Sequence, residues 1–228
     1  MTRVKICGIT NREDIQICAS AGVDALGFVV EYPVHVPWNL RRGEALELMK
    51  AVPPFVTKVA VVGDDPKEVT DIARFLRPDA VQLHGREPLK ITTELIRRLK
   101  LEGIQVIKAM RFSVATGELN WDVKDPVDAC KRLVELGVDA VVLDSVSKSR
   151  PAGTGRSFDW NIAKAIRRQV RIPIILAGGL NPKNVYEAIM EVRPYGVDVI
   201  SGVEGQVTKK DPAKVKAFLQ EARHACWT

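Results

Sequence analysis

The sequence predicts a single-domain (β/α)8 barrel, the TIM-barrel form of the α/β class. Three observations carry that reading. Short apolar runs alternate with helix-like stretches, there are eight such runs, and 228 residues over eight units gives about 28 residues each, near the lower end for this fold. A doubly wound sheet has fewer strands and a glycine-rich fingerprint after the first. Here the first run ends Cys7-Gly8-Ile9-Thr10, with no such fingerprint. No linker, low-complexity tract or change of composition divides the chain, so residues 1–228 read as one domain.

The expected strands are Val4–Ile9, Ala25–Val30, Val56–Val62, Ala80–His84, Gln105–Met110, Ala140–Asp144, Pro173–Ala177 and Val197–Ser201. They are continuous apolar runs, as parallel strands covered on both faces require. Val23-Asp24, Pro78-Asp79, Val138-Asp139 and Val197-Asp198 precede or open four of them and read as tight turns from helix to strand. Between the strands, Thr10 and Glu13 have the spacing of a capping box, and Gly22 closes the first helix. Pro66, Pro126, Pro182 and Pro212 each follow Asp or Asn, the pattern of a proline in the first helical turn behind a capping residue. Val185, Ala188, Ile189 and Val192 fall at helical spacing, as do Val215, Phe218, Leu219 and Ala222.

Composition narrows the function classes. Hydrophobic residues are 46% of the chain and charged residues 27%, which argues against a disordered or fibrous protein. There is no apolar run long enough to span a membrane, and the first residues lack the pattern of a signal peptide, so the expected location is the cytoplasm. The net charge is +6, with the positive residues dispersed and no nucleic-acid module. That balance fits a solvated surface and a small phosphorylated substrate, with no nucleic acid or membrane as partner. Cys7, Cys18, Cys130 and Cys226 match neither a zinc site nor a disulfide framework and read as reduced thiols. No metal site is expected.

In such a barrel, chemistry belongs where strands end. Strand seven ends in Gly178-Gly179 and strand eight in Ser201-Gly202. Glycines let backbone amides approach an anion closely, and the loops after these two strands are the usual phosphate grip. The bland alternative is tight turns only. Gly153 and Gly155 could add a loop over the same group. Cys7 ends strand one, as a small core thiol or as a site residue. Asp144 ends an otherwise apolar strand, facing the barrel mouth or an ion pair, and burial there would raise its pKa. His84, Lys108 and Arg111 could contact substrate or serve structure, His35 and His224 read as surface residues, and the four tryptophans read mainly as packing.

Laid out this way, the chain resembles the phosphoribosylanthranilate isomerases of tryptophan biosynthesis from end to end. The resemblance rests on Lys5-Ile-Cys-Gly-Ile-Thr10, Gly27-Phe28, Gln82-Leu-His-Gly85, Leu143-Asp144, Gly153-Thr-Gly155 with Phe158-Asp-Trp160, Leu176-Ala-Gly-Gly-Leu180 with Asn184-Val185, and Gly196-Val-Asp198 with Ser201-Gly-Val-Glu204. It implies a (β/α)8 barrel that needs no cofactor, acts as a monomer or homodimer, and performs an Amadori rearrangement of N-(5′-phosphoribosyl)anthranilate. It assigns the general acid to Asp144 and the general base to Cys7. Lys5, two residues before Cys7, points to the same side of its strand, and its ammonium is expected to favour the thiolate.

One stretch departs from the family. Its members usually carry an arginine after the second strand that pairs with the anthranilate carboxylate. Counting from Gly27, Val36 stands at that place. Arg41, Arg42 or His35 would have to take over, or the aryl part of the substrate differs, with Tyr32 and Trp38 as candidate walls of an aryl pocket. Alternatives are a related phosphosugar enzyme and a non-catalytic phosphate-ligand binding protein. The retention of both Cys7 and Asp144 weighs against the second.

Overall fold

The computed structural model describes residues 1–146 and 157–225. Eight parallel strands form a closed barrel ringed by eight helices. The strands are β1 (Arg3–Ile6), β2 (Ala25–Val30), β3 (Thr57–Val62), β4 (Ala80–Leu83), β5 (Gln105–Ser113), β6 (Ala140–Val146), β7 (Ile174–Leu176) and β8 (Gly196–Val199). The helices are α1 (Arg12–Ala21), α2 (Arg42–Met49), α3 (Pro66–Leu76), α4 (Leu89–Leu101), α5 (Pro126–Glu135), α6 (Trp160–Gln169), α7 (Val185–Val192) and α8 (Pro212–His224). Closure is made by β1, which pairs with β2 through Lys5↔Ala25 and with β8 through Lys5↔Asp198. A short strand, Asn39–Leu40, lies beside the end of β2, and a small hairpin, Glu204–Gln206 with Lys209–Lys210, follows β8.

All eight apolar runs form strands, with shifted ends. β5 continues to Ser113 and β6 to Val146, beyond the expected Met110 and Asp144, because the two strands stay paired from Ile107↔Ala140 to Ser113↔Val146. β1 stops at Ile6, since Gly8 turns the chain with φ of 72°.

Alternation along each strand separates two packing regions. Val4, Ile6, Leu26, Phe28, Val81, Leu83, Val141 and Leu143 pack outward against the helices in the main core. Cys7, Val29, Val59, Val61, Ile107, Ala109 and Val142 form a smaller cluster inside the barrel. Lys5, Gln82, His84, Arg111, Asp144 and Asp198 share that inward face by the same alternation.

Three of the four aspartates before the strands do the same job. Asp24, Asp79 and Asp139 accept from the backbone amides of Val4, Lys58 and Val106, at 2.8, 2.7 and 2.6 Å. Each ties one strand's start to the turn before the next. Asp198 departs from the set: it lies within β8 and bonds to Lys5 inside the barrel.

Helix starts follow the expected chemistry at Asp65-Pro66, Asp125-Pro126 and Asp211-Pro212, where each aspartate caps a helix with proline in its first turn. Two expectations change. Asn11, not Thr10, caps α1 by accepting from the Asp14 amide at 2.8 Å, while the Thr10 hydroxyl donates to the Thr208 carbonyl. Pro182 lies in a turn ahead of α7, which begins at Val185; Asn184 folds back to accept from the Asn181 amide. Gly22 closes α1 in the left-handed conformation as expected.

Asp79→Ala should therefore destabilise the barrel by about 1–2 kcal/mol, because a strand-start amide loses its partner. Thermal unfolding would show the loss, with activity per folded molecule retained.

Candidate active site

A pocket opens at the carboxyl ends of the strands. Cys7, His84 and Asp144 line it, as do Gly178, Gly179, Ser201 and Gly202. The structure thus brings seven sequence-predicted residues to one cavity. Tyr32, Val36 and Trp38, from the long segment after β2, form part of its wall.

The glycine lip is a product of close packing. Gly178 and Gly179 both have positive φ, 84° and 68°. A Cβ at Gly202 would sit 1.9 Å from the Leu180 carbonyl oxygen, so the loops after β7 and β8 touch only because glycine is there. Ser201–Val203 forms a single 3₁₀ turn beside them.

Cys7 and Lys5 stack on the inner face of β1, and Gly27 of β2 makes the room. A Cβ at Gly27 would lie 2.5 Å from Cys7 Sγ and 3.0 Å from Lys5 Nζ. Lys5 Nζ donates to Asp198 Oδ2 at 2.8 Å, and both side chains are buried. Burial works against the Lys5 charge, but Asp198 and Cys7 outweigh it and push its pKa up to about 12. Burial also pushes the Cys7 thiol up; Lys5 pulls it down and Asp198 opposes that pull. The expected effect of Lys5 on the thiol has the right direction, yet desolvation wins.

Asp144 crowns β6. Its side chain is 16% exposed and Oδ2 stands 3.6 Å from His84 Nε2. Burial raises its pKa to about 6, against the pull of the Ser145 amide, which donates to Oδ1 at 2.7 Å. His84 is held well below its ordinary pKa, by burial first and then by Arg111, Lys108 and Lys5. The ring is therefore neutral. Gln82 Nε2 lies 3.2 Å from His84 Nδ1. An amide nitrogen only donates, so Nδ1 accepts and Nε2 carries the proton toward Asp144.

Arg111 lies on the inward face of β5, directly in register with Asp144. It is buried, and its Nη1 is 3.5 Å from the Tyr32 hydroxyl, which donates to the His84 carbonyl at 3.1 Å. Arg41 is not brought to the pocket: its side chain is 85% exposed and pairs with Glu44, whose carboxylate also accepts from the Arg41 amide at the start of α2. Arg42 pairs with Glu31, and His35 is exposed. Gly153 and Gly155 lie outside the described residues. Cys18 and Cys130 are buried on helices away from the site, as expected of structural thiols.

The family model described as N-(5′-phosphoribosyl)anthranilate isomerase matches residues 4–221. The chain belongs to this family. A relative from Methanocella arvoryzae bearing that name is 42% identical over 226 residues, covering 98% of this chain and 99% of the relative. The crystal structure of the phosphoribosylanthranilate isomerase from Thermotoga maritima superposes with a TM-score of 0.78 at 36% identity, covering 98% of this chain and all of that one. A further solved structure, of a phosphoribosylanthranilate isomerase in complex with reduced 1-(o-carboxyphenylamino)-1-deoxyribulose 5-phosphate, gives a TM-score of 0.76 at 36% identity, with 98% of this chain and 100% of that one covered.

Several buried contacts escaped the sequence reading. Asp198 looked like a turn residue, and only the β1–β8 register brings it to Lys5. Glu204 accepts from Trp38 Nε1 at 2.7 Å and from Lys210 Nζ at 3.1 Å, so the hairpin after β8 is riveted to the pocket wall after β2. Lys108 faces outward, paired with Glu87 at 2.8 Å and near the Trp121 ring, and serves the structure behind the pocket. Two acceptors, Gln82 Oε1 and Asp198 Oδ1, are buried without a partner among the described residues, on side chains that line the pocket.

An acid whose folded pKa is about 6, against an ordinary 3.8, costs stability once it ionises. As pH rises through that window the unfolded chain releases the proton first, so stability falls and stays low above it. Asp144→Asn should raise stability at pH 8 by about 2 kcal/mol and have no effect below pH ~3.5. Denaturant unfolding at both pH values would show this; equal stability at pH 8 would refute the buried-carboxylate reading.

Proposed function

We propose that the protein converts N-(5′-phosphoribosyl)anthranilate to 1-(2-carboxyphenylamino)-1-deoxyribulose 5-phosphate, with Asp144 as general acid and Cys7 as general base. The observation that carries this is the convergence of a thiol and a raised carboxyl on one pocket beside a glycine lip. Family membership supports the same reaction.

The chemistry follows from the protonation states. Asp144, as the carboxylic acid, gives its proton to the furanose ring oxygen, and the C1′–O bond breaks as the anilino nitrogen forms the iminium. Cys7, as the thiolate, then removes the C2′ proton, and the electron pair closes to an enolamine. The enol tautomerises to the ketone as its hydroxyl proton is lost and C1′ is protonated. One proton has moved from Asp144 to Cys7 and must return before the next turnover. An acid with a pKa of about 6 is a competent donor near neutrality. The thiol is the difficult partner: burial raises it, and Lys5 is the positive charge that makes its thiolate reachable.

The other contacts divide the substrate between them. The amides around Gly178, Gly179, Ser201 and Gly202 suit the phosphate. The unpartnered oxygens of Gln82 and Asp198 are acceptors suited to sugar hydroxyls. Neutral His84, with Nε2–H toward Asp144, steadies the carboxyl without protonating it. Val29, Tyr32 and Val36 offer an apolar wall to the aryl ring.

Anthranilate-type fluorescence, with the substrate formed in situ, tests the proposal. Rapid loss of signal with the wild type is expected, and Cys7→Ala and Asp144→Asn should each reduce kcat by at least about 10²-fold. Turnover retained by either variant would remove that residue from its role.

A further inference from the structure

The substrate of the proposed reaction bears a carboxylate ortho to its amino nitrogen, and this inference rests on that reaction. An aryl carboxylate entering a pocket this enclosed leaves its charge poorly solvated unless a donor meets it. The position of that donor is constrained by covalent geometry. Carboxylate, amino nitrogen, C1′ and ring oxygen are contiguous in the molecule, so the carboxylate lies within a few ångströms of the oxygen that the acid protonates.

Among the described residues, the cations Lys5, Lys108, Lys210, Arg41, Arg42 and Arg111 lie near the pocket or on the segments that build it. Lys5 lies deeper, on Asp198 and Cys7. Lys108 faces outward onto Glu87. Lys210 is held behind Trp38 by Glu204 and the Ile200 carbonyl. Arg41 and Arg42 lie outside the cavity, beside Glu44 and Glu31. Arg111 differs from these in place. It projects inward one strand from Asp144 and in register with it, a lateral offset of about 4.8 Å. Its guanidinium reaches Tyr32 Oη, and Tyr32 and His84 both border the pocket.

We propose that Arg111, steadied by the Tyr32 hydroxyl, is the carboxylate-recognising residue of this site and sets its preference for an ortho-carboxylated aryl amine. A guanidinium presents two parallel N–H groups that match the two oxygens of a carboxylate. Register puts the two residues on neighbouring strands at the same level of the barrel, the acid for the ring oxygen beside the fork for the carboxylate. The Tyr32 hydroxyl holds the fork from the side of the aryl wall, while Val36 and Val29 leave the ring itself in apolar surroundings.

The experiment compares two substrates, formed by condensing ribose 5-phosphate with anthranilate or with aniline, and product is quantified by chromatography. The readout is the ratio of kcat/KM for the carboxylated over the carboxyl-free substrate. Arg111 also lowers the pKa of neighbouring Asp144, but that influence acts on both substrates and cancels in the ratio. Arg111→Met should lower the ratio roughly 30-fold or more, as expected when one partner of a buried charged pair is removed. Arg111→Lys keeps the charge, loses the fork and should fall between; it also serves if the methionine variant unfolds. If the aniline adduct turns over too slowly, inhibition by reduced 1-(2-carboxyphenylamino)-1-deoxyribulose 5-phosphate and by its phenylamino counterpart gives the same ratio from binding. An unchanged ratio in either folded variant would overturn the assignment even if overall activity dropped. A wild type inactive on the anthranilate adduct would overturn the proposed reaction itself.

Discussion

The ion pair between Lys5 and Asp198 holds together both the barrel and its chemistry. It crosses the β1–β8 seam, where the two residues are in register, and β1 is the strand that closes the barrel. Both side chains are buried, so removing either partner would leave a charge out of water. The pair is thus confined to the inside of the barrel, directly below Cys7, and Gly27 gives the space for Lys5 and Cys7. A larger residue at Gly27 would push either the thiol or the ammonium aside.

That arrangement fixes the charge inventory of the barrel interior. Lys5 and Arg111 are cationic, Asp198 is anionic, and His84 is neutral. With one proton shared between Cys7 and Asp144 the described interior is electrically balanced, whichever of the two carries it. Two protons leave it positive and none leaves it negative, and both are disfavoured where water is scarce. The resting form has the carboxylate and the thiol, because Asp144 titrates near 6 and the thiol above its ordinary value. The reactive form is the reverse, and the site works by keeping that minority form within reach.

Much of this was legible in the sequence, for local reasons. The eight apolar runs, the Asp-Pro helix starts and the Asp24, Asp79 and Asp139 turns depend on residues close in the chain, and each formed, the strands with shifted ends. Cys7, Asp144 and the glycine pairs could be placed because strand ends in a barrel converge. Interactions between residues far apart in the chain were not legible. Asp198 shares its dipeptide pattern with three turn aspartates, and only strand register distinguishes it. Trp38, Glu204 and Lys210 meet across more than 160 positions of sequence. Arg41 drew attention as the first arginine after the substituted stretch, but proximity in sequence put it on the outer surface, whereas Arg111 arrives from β5.

Catalysis in this site depends on a single proton held between Cys7 and Asp144, and the dependence of kcat/KM on pH reads that proton. The expected profile is a bell, with an acid limb near pH 6 where the second proton arrives and an alkaline limb above the ordinary thiol value of 9.0, where the last proton leaves. A profile that rises through pH 6 and then stays flat past pH 11, or one with no acid limb, would contradict it.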